Sequence, residues 1–412
     1  MSKSFVGRTT MAVAAAFVLS PLAWAANKES ILHSFGGSPD GADPAATLVF
    51  VRTGTAYGTT VTGGSYAYGT VFQIKHSRNG WTETVLHSFA AGSDGKNPYG
   101  GVTLDSAGNL YGTTVAGGTG GSCNGDGCGT VFELTKSGGK WSETVLYSFT
   151  GGNDGFGPGG GVILDKAGNL YGTTPDGGAH SLGTVYQLTP THGGQWTEKV
   201  IHSFTGGKDG AVGSLGLLLL DGSGALYGIA ELGGAHSAGT VFKLSPAAGG
   251  KWKFATLYAF KGQPNAGFPY GGLIADGSGN LYGTTYYGGK NGVGSVFELV
   301  LGSNGRYRES LLYSFKATND GNSPTSTLVF DASGDLYGTA SAGGDPGCGC
   351  GAVFKLSPGG GRWKESIVHR FKSSPDGAYP SYGLVLDGSG ALYGTTAAGG
   401  TQNQGVVFKL TP

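Results

Sequence analysis

The chain has 412 residues, with 26 basic and 26 acidic side chains, no net formal charge at pH 7, and 84 glycines. That balance leaves no electrostatic footprint for nucleic acid or anionic lipid, and beyond the N-terminus no run approaches the roughly 20 apolar residues of a membrane-spanning helix. The glycines follow no collagen period and alternate with Val, Phe, Tyr, Leu and Thr, which excludes disorder and reads as short strands joined by tight turns.

Residues 1–25 carry a basic start (Lys3, Arg8), an apolar run from Met11 to Leu19 and a small-x-small site at Ala23-Trp24-Ala25. This is the pattern of a secretory signal peptide, with cleavage expected after Ala25. The expected product is exported and has no membrane span. With Lys3 and Arg8 removed, 24 of the 26 basic side chains remain against 26 acidic ones.

From there one phrase organises the chain. Leu-Tyr-Gly-Thr-Thr, a Gly-Gly pair and Gly-Thr-Val-Phe-x-Leu follow one another, and the Tyr-Gly pair returns at Tyr57, Tyr111, Tyr171, Tyr227, Tyr282, Tyr337 and Tyr393. Intervals of 54 to 60 residues over seven copies mark a repeat architecture. Within residues 99–149, the stretch 101–105 reads as a first strand, 110–114 as a second, 129–135 as a third and 140–149 as a fourth, joined by Asp, Asn, Ser and Gly turns. No window shows helical periodicity. Four antiparallel strands in seven units predict an all-β, seven-bladed β-propeller occupying residues 26–412 as a single domain. The register is offset: residues 29–35 read as a fourth strand and residues 406–410 as a third. The N-terminal strand is therefore expected to complete the last blade and close the ring.

Positions that repeat read as structural. Trp81, Trp141, Trp196, Trp252 and Trp363 share one place at the start of the fourth strand, with Tyr307 in the sixth copy. An aromatic present in every repeat is a packing device. The glutamate two residues on (Glu83, Glu143, Glu198, Glu309, Glu365) is expected to be a solvated charge blunting the outer edge. Asp105, Asp165, Asp221, Asp276, Asp331 and Asp387 are expected to shape turns on the rim opposite the long loops.

The phrases LYGTT-x-x-GG, GTVF-x-L, W-x-E-x-V-L-x-SF and GG-x-DG-x-x-P, read here over residues 81–155, resemble the GloVer-type tandem repeat of exported bacterial proteins. The resemblance spans essentially the whole chain after residue 25. It implies a β-propeller-like protein, secreted or surface-anchored, with no activity defined for the family. Members often end in a sorting or anchoring segment; this sequence stops at Thr411-Pro412 without one, which favours release or periplasmic retention. The turn at 135–141 sits where sialidase-like propellers carry an Asp-box, but it lacks the aspartate, so no sialidase activity is carried over.

Function is expected on the rim that bears the long, variable loops. Asp-Gly recurs there at Asp40, Asp94, Asp154, Asp209, Asp320 and Asp376, with Asn265 in the remaining copy. Two readings stand: an Asx-turn accepting backbone amides, or carboxylates gathered on a central Ca²⁺ or on sugar hydroxyls. The same rim carries aromatics that vary between copies, among them Tyr66, Tyr68, Tyr99, Phe156, Phe268, Tyr270, Tyr286, Tyr287, Tyr379 and Tyr382. They suit stacking on sugar rings, or else they pack between blades.

His33, His87, His202 and His369 alternate with Tyr147, Tyr258 and Tyr313 at one fourth-strand position and behave as interchangeable aromatics. His180 and His236, in two Gly-Gly-Ala-His-Ser loops, are the pair to test as metal ligands or as a general base. The four cysteines, Cys123 with Cys128 and Cys348 with Cys350, fall in two rim loops; local disulfides are the default in an exported chain, with a redox or soft-metal role as the alternative. No nucleophile elbow, zinc helix or phosphate loop is present.

The expected function is a secreted binding or scaffold module, monomeric, for an extracellular glycan. Asp94, Asp154, Asp209, Asp320, Asp376, Tyr99, Tyr270, Tyr382, His180 and His236 are its candidate ligand-binding residues. Beyond Ca²⁺ no cofactor is implied. The alternatives are a lyase or hydrolase holding a divalent cation in the central funnel and an extracellular protein-interaction platform.

Overall fold

The computed structural model describes residues 28–51, 54–121, 123–213, 216–317 and 319–411. The proposed signal peptide lies outside them. Seven four-stranded antiparallel sheets follow one another as the blades of a β-propeller. Blade two is representative, with strands Thr103–Leu104, Leu110–Thr114, Thr130–Ser137 and Lys140–Ser148. In its register Leu110 faces Leu134 and Phe132 faces Val145, so the apolar side chains of neighbouring strands meet on one face. The strand Lys28–Ser34 pairs antiparallel with the last strand, Val406–Thr411, and is the fourth member of the last sheet.

The third and fourth strands of all seven blades share a β-bulge. In blade two it falls between Val145 and Tyr147, and the equivalent break precedes His33, His87, His202, Tyr258, Tyr313 and His369. A bulge adds one residue to one strand and re-aims the next side chain. Here the added residue is apolar (Leu32, Leu86, Leu146, Ile201, Leu257, Leu312, Val368) and packs into a core cluster, while the His or Tyr after it turns toward the loop that enters the next blade.

The core lies between blades, not within them. Tyr111, Val131 and Phe149 of blade two pack with Val162, Leu170, Tyr186 and Leu188 of blade three in one such cluster. The two most repeated phrases meet there: Tyr57 lies edge-on to Trp141 at 6.0 Å, Tyr111 to Trp196 at 6.3 Å and Tyr171 to Trp252 at 5.7 Å. The glycine after each of these tyrosines has a packing reason. A Cβ on Gly112 would stand 2.5 Å from the ring of Phe132, and one on Gly394 would stand 2.6 Å from Phe408.

The first strands are shorter than the sequence suggests. The first strand is two residues long in blades two and three; in blade four it is split into Ala211–Gly213 and Leu219–Leu220, both paired with Leu226–Leu232, whereas in blade five it is one strand, Ala266–Ala275. The upstream part of each segment pairs again, as Lys96 does with Ala116 and Phe156 with Asp176, and the stretch between packs against neighbouring blades. A Cβ on Gly100 would lie 2.3 Å from the Gly161 amide, and one on Gly216 would lie 2.0 Å from the Gly271 carbonyl. Backbone contact of this kind leaves no room for side chains and interrupts the ladder.

Candidate functional site

Side chains from non-adjacent blades of a propeller can meet only at its axis. Tyr99 belongs to blade two, Tyr270 to blade five and Tyr382 to blade seven, yet each lies within electrostatic reach of the others. Asp43 of blade one acts on both Tyr99 and Tyr382, and Glu231 of blade four acts on Tyr270. Three phenols therefore face one another across the axis, with the carboxyls of Asp43 and Glu231 beside them.

Burial sets the protonation of this group. Desolvation pushes the Tyr270 phenol up to about 12, with the charge of Glu231 as the next cause. It raises Tyr99 and Tyr382 as well, and Asp43 adds to both. Burial also raises the carboxyls of Asp43 and Glu231 themselves. All three phenols are thus neutral hydrogen-bond donors across the physiological range.

The aromatic surface extends outward from the axis along blade five. Tyr270 and Tyr286 are 6.1 Å apart, Tyr286 and Tyr287 4.5 Å, and Tyr287 and Phe268 5.8 Å. Tyr99 is 42% exposed, Tyr287 52%, Tyr379 46% and Tyr66 58%. Most residues before the repeated proline hold a left-handed backbone: Asp43, Asn97, Phe268, Ser323 and Tyr379 have φ between 50° and 60°. Bulky residues adopt this conformation at a cost, and the positions that do so here are the ones that vary between copies.

Asp43 and Glu231 were not singled out by sequence reasoning. A signal existed for Glu231. The position after the Leu-Tyr-Gly-Thr-Thr phrase holds Val61, Val115, Pro175, Tyr286, Ser341 and Ala397 in the other copies, and only here a carboxyl.

The Asp-Gly series lies elsewhere. Each aspartate is engaged at its own blade interface by the residue that follows the bulge: His33 with Asp40 at 3.0 Å, His87 with Asp94 at 2.9 Å, Tyr147 with Asp154 at 2.9 Å, His202 with Asp209 at 3.2 Å, Tyr313 with Asp320 at 2.7 Å and His369 with Asp376 at 3.2 Å. Each also accepts the amide four residues earlier, as Asp94 does from Ala90 and Asp320 from Lys316. The fold does not bring Asp94, Asp154, Asp209, Asp320 and Asp376 together. A shallow groove of about 490 Å³ opens beside one of these interfaces, at Tyr147, Asp154 and Glu198, and not at the axis.

The glutamates after the tryptophans are not solvated outer charges. Oε1 of Glu29, Glu83, Glu143, Glu198 and Glu365 is buried with no hydrogen-bond partner among the described residues. Each reaches back to the Asp of the preceding interface: burial, then the charge of Asp40, pushes Glu83 up to about 7, and Asp94 does the same for Glu143. The fifth copy shows the logic. There Asn265 replaces the aspartate, and Glu309 takes its place by accepting from Tyr258 at 2.7 Å and from the Ala266 amide at 2.9 Å.

His180 and His236 are exposed in separate loops, and neither joins a cluster of three ligand-type side chains among the described residues. Cys123–Cys128 and Cys348–Cys350 are disulfides. The second aspartate series shapes turns: Asp165 Oδ1 accepts the amides of Ala167 and Asn169, and Oδ2 accepts the Tyr171 hydroxyl. No helix among the described residues is long and apolar enough to cross a membrane.

Among solved structures, the chain is similar to a Thermus thermophilus protein assigned without confirmation as an oxidoreductase (glucose dehydrogenase), at 16% identity and a TM-score of 0.44 over 93% of this chain and all of that one. A Dyadobacter fermentans protein of unknown function matches at 10% identity and a TM-score of 0.48, over 94% and 99% of the two chains. No curated protein matches. The profile of the Gloeobacter/Verrucomicrobia repeat matches residues 18–125, 120–308 and 214–412. With its whole propeller covered by these three overlapping matches, the chain belongs to the Gloeobacter/Verrucomicrobia repeat family.

Proposed function

We propose that this propeller is an exported carbohydrate-binding module whose ligand sits on the axial mouth. The observation that carries the reading is the convergence of Tyr99, Tyr270 and Tyr382 with Asp43 and Glu231. Phenol faces offer stacking surfaces to the apolar side of a sugar ring, and neutral phenols beside carboxyls offer donors and acceptors to its hydroxyls. The exposure of Tyr99, Tyr287 and Tyr379 supports a stacking surface over a closed catalytic pocket. Two disulfides support residence in the periplasm or outside the cell.

The test is a glycan-array screen of the chain from residue 26 onward, with and without Ca²⁺. Saturable binding is expected without Ca²⁺, because each interface aspartate sits at its own blade contact and the fold does not gather them at the axial mouth. Tyr99→Ala is expected to weaken it about 5- to 150-fold, the loss of about 1–3 kcal/mol that a stacked aromatic supplies. Binding that survives both Tyr99→Ala and Tyr270→Ala would place the ligand elsewhere, and no binding under either condition would refute the reading.

A further inference from the structure

We propose that three consecutive blade interfaces are divalent transition-metal sites of the Zn²⁺ class, each built from one imidazole and two carboxylates. The sites are Glu29 with His369 and Asp376, Glu83 with His33 and Asp40, and Glu143 with His87 and Asp94; in each, the three donor atoms lie within 4.8 Å of one another. This inference is independent of the axial mouth.

Donor geometry carries the assignment first. His Nε2 and the Asp oxygen stand 3.0, 2.9 and 3.2 Å apart at the sites of His33, His87 and His369. Two tetrahedral ligands of one Zn²⁺, each about 2.0–2.2 Å from the ion, stand about 3.3–3.6 Å apart, so an ion replaces the His–Asp hydrogen bond with only a small outward shift of the two side chains. The third donor is a carboxylate oxygen: Oε1 of Glu83 and Glu143 is buried without a hydrogen-bond partner among the described residues, and Oε1 of Glu29 stands 3.6 Å from His369 Nε2. A second buried carboxylate beside the Asp gains from a dication what it lacks from the protein, namely neutralisation of two like charges in one pocket. One nitrogen and two oxygens form a borderline donor set suited to Zn²⁺ and leave a position for water.

The remaining interfaces serve as controls written into the chain. Tyr147, Tyr258 and Tyr313 replace the imidazole and donate to a carboxylate. At the fourth interface Phe254 replaces the glutamate and stacks on His202 with ring centroids 3.9 Å apart. These interfaces hold together without a nitrogen–carboxylate–carboxylate set, so the blade contact does not itself require one.

The test uses the chain from residue 26 onward, stripped with chelator and dialysed against Zn²⁺ alone, with bound metal counted by mass spectrometry. Up to three ions per chain are expected, one for each cluster. His33→Tyr, His87→Tyr and His369→Tyr are expected to remove one ion each and together all of them. Tyrosine already occupies this position in three blades, so the triple variant is expected to fold, which its strand spectrum and melting temperature check. Added Zn²⁺ is expected to raise the melting temperature of the parent and leave that of the folded triple variant unchanged. No retained Zn²⁺ in the parent, or a stoichiometry that survives the triple substitution, would overturn the proposal, the latter by assigning the metal to other histidines such as His180 and His236.

Discussion

Tyr186 is the residue whose environment departs most from its counterparts. It is fully buried, and its hydroxyl has no hydrogen-bond partner among the described residues. The other six blades place Phe there: Phe72, Phe132, Phe242, Phe297, Phe354 and Phe408. A buried hydroxyl without a partner keeps the cost of its desolvation, about 1–3 kcal/mol. Tyr186→Phe is therefore expected to stabilise the chain by about 1 kcal/mol, read as a higher urea midpoint. A lower midpoint would show that the hydroxyl is engaged after all. The substitution also needs no new space, because the ring already packs on Gly172, where a Cβ would come within 2.4 Å of the hydroxyl.

At the scale of the strand, the fourth-strand glutamates whose carboxyls burial raises, Glu29, Glu83, Glu143, Glu198 and Glu365, decide how their blade contacts respond to pH. Glu198 faces Asp154 and, through its field, Tyr147 and Tyr186. Burial first and Asp154 second raise its carboxyl from the ordinary 4.5 to about 7. The folded state therefore holds a proton that the unfolded chain releases earlier. The stabilisation is complete below about 4.5 and is lost as the pH rises through about 7. Glu198→Gln, which keeps the neutral shape at every pH, is expected to raise the melting temperature at pH 8 and leave it nearly unchanged at pH 4. An equal shift at both would refute the linkage. This contact was not legible in the sequence, because Asp154 and Glu198 belong to successive units and only the ring packing brings them together. The period, the strand order, and the packing roles of the tryptophans and of the turn aspartates were legible, because each copy states them again. The axial mouth was half legible: Tyr99, Tyr270 and Tyr382 stood out as variable rim aromatics, but their meeting depends on which blades face each other across the axis.

For the whole molecule, the question is what the pairing of the chain's two ends does for the ring. Lys28–Ser34 lies along Val406–Thr411, with Glu29 opposite Leu410 and Ile31 opposite Phe408. Phe35, Leu48, Phe72, Tyr393 and Val407 then pack as a cluster of residues from both ends of the chain. Other blades join these two strands by a tight turn, so here one covalent link is exchanged for a non-covalent one. Deleting residues 26–34 would strip Leu32 from that cluster, worth up to about 1.5–3 kcal/mol, and would leave the edge of Val406–Thr411 open to another chain. The truncated chain is expected to melt lower and to associate, read by calorimetry and by sedimentation. A circular permutant supplies the converse. Joining Thr411 to Lys28 by a short Gly-containing turn, with new ends opened between Gly138 and Gly139, keeps every strand pair, makes the last blade continuous and moves the non-covalent link to blade two. It is expected to keep the parent's state of association and to melt no lower than the parent. If the truncated chain kept the parent's melting temperature and state of association, the terminal strand would be an ornament of the last blade, and the ring would be held by its other interfaces alone.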